Sequence, residues 1–192
     1  MENTRIIFIR HGQVHNPSRI LYARLPRFRI SGNGIREVRE TALQLAKFPV
    51  TAIYSSPLLR TRQSAKLIAE KLNLQMRISP LLTEVGSIFQ GMPLDRYKSE
   101  IQPKQYHNRY VKKGHESIAD IGKRMLKFVN LVIKKHPGKT VVAVSHGDPI
   151  VILKAISEKK HFSWAYKKNN YLGSGKMLIL EINKENFKIL DQ

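Results

Sequence analysis

The chain has 192 residues, 42% of them hydrophobic, with no cysteine and one tryptophan. That length supports one domain with its own core. The composition excludes disulfides, thiol nucleophiles and cysteine-held metal, and no apolar run approaches a membrane span. Lysine plus arginine number 34 against 14 aspartate plus glutamate, a formal net charge of +20. This attracts anions in general without favouring a particular fold.

The first predicted element is a strand over Arg5–Ile9. Its apolar run is only a strand long and lacks the layout of a signal peptide, so a cytoplasmic location is expected. It ends abruptly in Arg10-His11-Gly12. A loop follows in which Leu21–Arg29 is rich in arginine (Arg24, Arg27, Arg29). A helix is predicted near Ile35–Lys47, started within Ser31 to Gly34. Strand Thr51–Ser55 leads into helix Pro57–Leu72, with Ser56 suited to the N-cap and Pro57 to the first helical position. Arg60 then falls in the opening turn, where helix N-termini already favour anions.

A short strand near Gln75–Ile78 precedes a long irregular stretch to about Glu116. It carries Glu84 in an apolar setting before Gly86. Arg96–Lys113 interleaves basic residues with Tyr97, Tyr106, His107 and Tyr110, a pattern that can mark nucleic-acid binding. Helix Ser117–Lys135 stops before His136-Pro137-Gly138. Strand Thr140–Val144 runs into Ser145-His146-Gly147-Asp148-Pro149, with Asp148 suited to the N-cap of helix Pro149–Ser157. The doublets Lys134-Lys135, Lys159-Lys160 and Lys167-Lys168 read as solvated helix ends and loops. Phe162 and Trp164 read as packing residues. Gly173-Ser174-Gly175-Lys176 lacks the spacing of a phosphate loop and precedes a strand, so it reads as a turn. Lys176–Ile182 and Asn186–Leu190 form a closing hairpin around Asn183-Lys184-Glu185.

Alternating strands and helices predict an α/β fold with a mostly parallel sheet covered on both faces, and an antiparallel strand from the hairpin at one edge. Ligands in such sheets sit beyond the carboxyl ends of the strands. His11 and His146 both arrive there, one with an arginine attached. Two histidines and an aspartate could ligate a metal, but there is no His-Glu-x-x-His pattern and Arg10 would repel a cation. A phosphate explains arginines and histidines together.

Arg10-His11-Gly12, then Ser55-Ser56-Pro57-Leu58-Leu59-Arg60 with Ser64-Ala65 beyond it, Glu84, and Ser145-His146-Gly147 resemble, in order, the phosphoglycerate mutase-like branch of the histidine phosphatase superfamily. The match runs from Arg5 to about Ile156. The resemblance implies a three-layer α/β/α sandwich formed by a single domain over residues 1–192, with a variable lid-like stretch at about 85–116. It implies a metal-independent phosphomonoesterase in which His11 becomes a phosphohistidine. Arg10, Arg60 and His146, with Gly147 beside them, hold the phosphoryl group, and Glu84 serves as proton donor and then acceptor. No metal or organic cofactor is implied; the partner is a small phosphorylated substrate, with no membrane. Asn16 stands at the family's phosphate-contacting spacing. Gln13, Arg24 and Glu116 are placed at the substrate rim, although His115 interrupts the family's Gly-Glu-Ser turn and Gln13 replaces the commoner glutamate. Two alternatives stay open. One is a phosphomutase of the same family, which commonly carries longer insertions. The other is a basic nucleic-acid or partner-binding module on an inactive scaffold.

Overall fold

The computed structural model describes residues 3–183 and 186–190. Six strands form one sheet: β1 (Thr4–Arg10), β2 (Val50–Ser55), β3 (Met76–Ile78), β4 (Thr140–Ser145), β5 (Met177–Asn183) and β6 (Asn186–Leu190), in the order β3-β2-β4-β1-β5-β6. The first four run parallel, β5 lies antiparallel to β1, and β6 pairs antiparallel with β5 at the edge. The hairpin therefore supplies two strands, and its predicted turn residues Lys184 and Glu185 lie outside the described residues.

The central strands are apolar on both faces because both faces are covered. Ile6, Phe8, Val141 and Ala143 pack on one side with α5 (Ile118–Lys135) and α6 (Gly147–Ser157). Ile7, Ile9, Val142 and Val144 pack on the other with α1 (Gly32–Leu45) and α2 (Leu59–Leu72). Helices thus cover both faces of the sheet, in three layers. No helix among the described residues is long and apolar enough to cross a membrane.

Four local details differ from expectation. Helix α1 begins at Gly32, because the Ser31 hydroxyl caps Gly34 N. Helix α2 begins at Leu59 with Leu58 as a cap lacking any side-chain bond; the Ser56 hydroxyl is engaged by His146 instead. The long stretch after β3 is not wholly irregular. It holds a 3₁₀ turn (Pro80–Leu82), α3 (Leu94–Arg96) continued by a π-turn through Tyr97–Ile101, and α4 (Asn108–Val111). Finally, α7 (Trp164–Asn170) forms where a loop is expected, capped by Ser163.

Candidate active site

The register of β1 against β4 builds the site. Arg10 stands opposite Ser145, so the residues that follow, His11 and His146, leave the sheet side by side. Their rings meet edge-on with centroids 5.2 Å apart. The turn that carries His11 is tightly held. A Cβ on Gly12 would lie 2.4 Å from Gly34 O in the first turn of α1, so only glycine permits that approach. Gly12 N also donates to the Ser64 hydroxyl, which itself donates to Arg60 O on α2.

The hydrogen bonds dictate the tautomers. Arg60 has only protons to offer, so His11 Nε2 accepts from its Nε at 3.1 Å, and His11 Nδ1 carries the proton it gives to Gly12 O at 2.9 Å. By the same logic His146 Nδ1 accepts from Arg60 Nη2 at 3.2 Å, and its Nε2–H donates to Ser56 Oγ at 2.8 Å. Burial first, and the Arg60 charge next, hold both imidazoles well below the ordinary histidine range. His11 is therefore neutral at physiological pH, with its Nε2 lone pair turned toward a cationic group and away from its own backbone.

Arg60 is only 1% exposed. Its Nη2 also donates to Ala23 O at 2.8 Å, and its guanidinium lies over the Tyr22 ring at 4.8 Å. Arg10 donates to Leu172 O at 2.8 Å and lies over the Tyr171 ring at 4.9 Å. Its Nε is buried with no partner among the described residues. A buried guanidinium and a half-buried one, the latter with an unbonded donor, make a strong anion receptor.

Glu84 reaches the same place from the loop after the 3₁₀ turn. Its Oε1 accepts from Val85 N at 2.9 Å. Its Oε2 lies 3.6 Å from His146 Nδ1 and 3.9 Å from Arg60 Nη2. Burial, and after it the Asp148 charge, push this carboxyl above the usual range against the pull of Arg60.

Arg10, His11 and Glu84 line one pocket of about 370 Å³, together with Tyr22, Tyr97, Lys98, Asp148, Lys167 and Tyr171. Not every expected site residue lines it: Arg60 and His146 are buried behind His11, with Arg60 bonded to both histidines. Both ends of the Asn16 carboxamide bond the Ile20 backbone. The Gln13 carbonyl Oε1 accepts from the Ser31 hydroxyl at 2.7 Å. Gly147 opens α6, and a Cβ there would lie 2.3 Å from the Tyr171 hydroxyl; its lack of a side chain seats that ring. Arg24 and Glu116 pair with each other at 2.8 Å behind Glu84. Arg29 lines a separate depression of about 490 Å³ beside His15 and Lys66, which contains none of the catalytic candidates.

Sequence reasoning missed a buried network in the wall of the pocket. Asp148 is the second residue of α6, not its cap; His146 occupies the cap position. The Asp148 carboxylate accepts from Lys167 at 2.7 and 2.8 Å, Tyr106 at 2.6 Å and Gln105 at 2.8 Å. Tyr97 in turn donates to Gln105 Oε1. Lys167 is 3% exposed, which corrects its reading as a solvated lysine. Its neighbour Lys168 is exposed, so the doublet concealed one buried member. Tyr106 and Tyr110 pack on Phe162 and Phe89.

His11, Glu84 and His146 also offer donor atoms within 4.8 Å of one another, the one such trio among the described residues. A cation there would face Arg60, which already bonds the near nitrogens of both histidines. The guanidiniums of Arg60 and Arg10, not this trio, set the preference of the site for an anion.

Comparison with known proteins identifies the family. The chain is 34% identical over 157 residues to the Mycobacterium tuberculosis protein Rv0525, covering 80% of this chain and 78% of that one. It is 32% identical over 129 residues to phosphoserine phosphatase 1 of Hydrogenobacter thermophilus, covering 63% and 60% respectively. The solved structure of Bacillus stearothermophilus YhfR superposes with a TM-score of 0.84 at 19% identity, over 97% of this chain and 95% of that one. The family model of the histidine phosphatase superfamily (branch 1) matches residues 6–191, and the chain belongs to that superfamily.

Proposed function

We propose that this protein is a metal-independent phosphomonoesterase that works through a phosphohistidine on His11. The observation that carries the reading is the pair of hydrogen bonds that assigns the tautomer of His11. With Nδ1 tied to Gly12 O, the Nε2 lone pair faces the guanidinium of Arg60 and the unbonded donor of Arg10. In the first step a phosphate dianion draws Arg60 off the imidazole, and Nε2 forms a bond to phosphorus as the ester P–O bond breaks. Glu84 gives its proton to the leaving oxygen. In the second step water attacks the phosphoenzyme and the Nε2–P bond breaks. The Glu84 carboxylate takes the water's proton, so phosphate leaves and the acid is restored. Arg10 and Arg60 stabilise the charge on the equatorial oxygens throughout, and neutral His146 orients Arg60 through its Nδ1. Splitting one difficult displacement into two is the gain of nucleophilic catalysis.

The pocket volume suits a small phosphoester, and the similarity to a phosphoserine phosphatase supports hydrolysis. Residues 85–116 serve as the lid over that pocket. The test is a panel of phosphomonoesters with an aryl phosphate included, assayed with a chelator present, by wild type and His11→Ala. Chelator-resistant release of inorganic phosphate, lost in His11→Ala, is the expected result. Transfer of the phosphoryl group to a second hydroxyl, with no release of inorganic phosphate, would make the protein a mutase. Full activity in His11→Ala would end the reading.

A further inference from the structure

Glu84 is carried on a loop, and loops hold a side chain accurately only when their backbone is tied down. Here the backbone on both sides of Glu84 is gripped by three ionic side chains from distant parts of the chain. Arg24 Nε donates to Glu84 O at 2.7 Å, and its Nη2 pairs with Glu116 Oε2 at 2.8 Å. Glu116 Oε2 also accepts from Gly86 N at 2.9 Å, while Glu116 N donates to Gly86 O at 2.8 Å. Arg124, on α5, donates to Leu81 O at 2.9 Å and bonds both Glu116 oxygens at 2.7 and 3.2 Å. Its Nη2 stands 3.5 Å from Glu84 O. Ser145, the residue before His146, adds a bond from its hydroxyl to Leu82 O at 2.8 Å.

The grip is not a surface decoration. The Glu116 and Arg124 side chains are 15% and 14% exposed. Burying ions is costly unless their bonding capacity is used, and here it is used on main-chain atoms of residues 81–86. Gly86 lets Arg24 approach, since a Cβ there would lie 3.2 Å from Arg24 Nη1. None of the three side chains lines the pocket.

We infer that Arg24, Glu116 and Arg124 are positioning residues that clamp the Glu84 backbone and so fix where its carboxyl delivers a proton. This replaces the substrate-rim role expected for Arg24 and Glu116 and adds Arg124. It rests on Glu84 acting as the acid of the proposed reaction. Misplacing a catalytic group by about 1 Å can cost on the order of a hundredfold in rate. The clamp should therefore matter most when the leaving oxygen needs a proton.

The experiment compares kcat/KM for an alkyl phosphate, whose leaving oxygen needs that proton, and a nitrophenyl phosphate, whose leaving group does not. Arg124→Gln, Glu116→Gln and Arg24→Gln are each expected to lower the alkyl-to-aryl ratio about tenfold, a fraction of a full general-acid effect. Arg124→Lys should recover part of it. Glu84→Gln should lower the ratio further, and adding Arg124→Gln to Glu84→Gln should lower it no more. Thermal melts report folding. If Arg124→Gln does not fold, Arg24→Gln carries the test, because Arg24 is 40% exposed at the clamp's edge. Folded clamp variants that lose both substrates equally, or neither, while Glu84→Gln lowers the ratio, overturn the clamp alone. A Glu84→Gln variant with an unchanged ratio overturns the acid reading and the clamp with it.

Discussion

Replacing Lys167 by methionine removes one half of the buried pair in the wall of the pocket. Asp148 loses both bonds from the ammonium, at 2.7 and 2.8 Å, but keeps the neutral donors Tyr106 and Gln105. Breaking a buried pair from one side costs about 3–5 kcal/mol. The two remaining donors place the expected loss near the lower end, about 3 kcal/mol. For a chain of this size that lowers the melting temperature by roughly 6–12 °C. Adding Asp148→Asn removes the stranded charge and should recover at least half of the loss. Acidity provides an internal check on the sign. In the wild type, burial pushes the Asp148 carboxyl up, but Lys167 and the donated hydrogen bonds outweigh it and hold it below the usual range. It therefore contributes stability above its unfolded pKa, lost as pH falls through the folded one. In Lys167→Met the unpaired carboxylate has a raised folded pKa, so its deficit is largest at neutral pH and shrinks on acidification. The two stability curves should converge toward low pH. Urea unfolding of the three proteins at neutral and mildly acidic pH measures this. A single variant that loses less than about 1 kcal/mol, or a double variant no better than the single, would refute a stranded-charge penalty.

Other perturbations address the chemistry. Arg60→Ala should lower kcat/KM by about 10²–10³-fold, as for loss of a group that stabilises transition-state charge. It should also move the His11 titration upward in NMR spectra, since Arg60 is second only to burial in lowering it; an unmoved titration contradicts the assigned contact. The pH dependence of kcat/KM should show His11 neutral and active well into the acid range. It should fall on the alkaline side as Glu84, whose pKa is raised, loses its proton. Glu84→Gln should abolish that alkaline limb, and a limb left unchanged assigns it elsewhere. Gly147→Ala drives a methyl into Tyr171. About 1–3 kcal/mol of overpacking and a raised KM are expected, because that ring covers Arg10; unaltered kinetics and melting would show that Tyr171 has room to move.

What the sequence made legible was whatever is written in adjacent residues. Fully apolar runs ending in Arg10-His11 and Ser145-His146 mark buried strands whose ends carry chemistry, and the β1–β4 register sets the two rings together. Placement of Arg60 in the opening of α2 needed only the turn before it. What was hidden depends on partners far along the chain. Lys167 pairs with Asp148 19 residues away, and Arg24 meets Glu116 across 92. A lysine doublet reads as solvated until a buried carboxylate is known to face one member. Ser56 has the chemistry of a cap, but its hydroxyl accepts from Leu58 N just ahead of the helix and from the His146 ring nitrogen. Asn16 has the right spacing from His11, yet its carboxamide closes its own loop on Ile20. For Lys167, Arg24 and Ser56 a distant partner redirected the side chain, and for Asn16 a residue four positions on did.

The central claim is a covalent bond between phosphorus and His11. The most direct measurement is to mix enzyme with a ³²P-labelled phosphomonoester, quench within the first turnovers and locate the label by peptide mass spectrometry. An acid-labile, base-stable phosphoryl group on His11 is predicted, absent from His11→Ala and longer-lived in Glu84→Gln, where water is no longer activated. A label on His146, or brisk turnover that never labels the protein, would contradict the account.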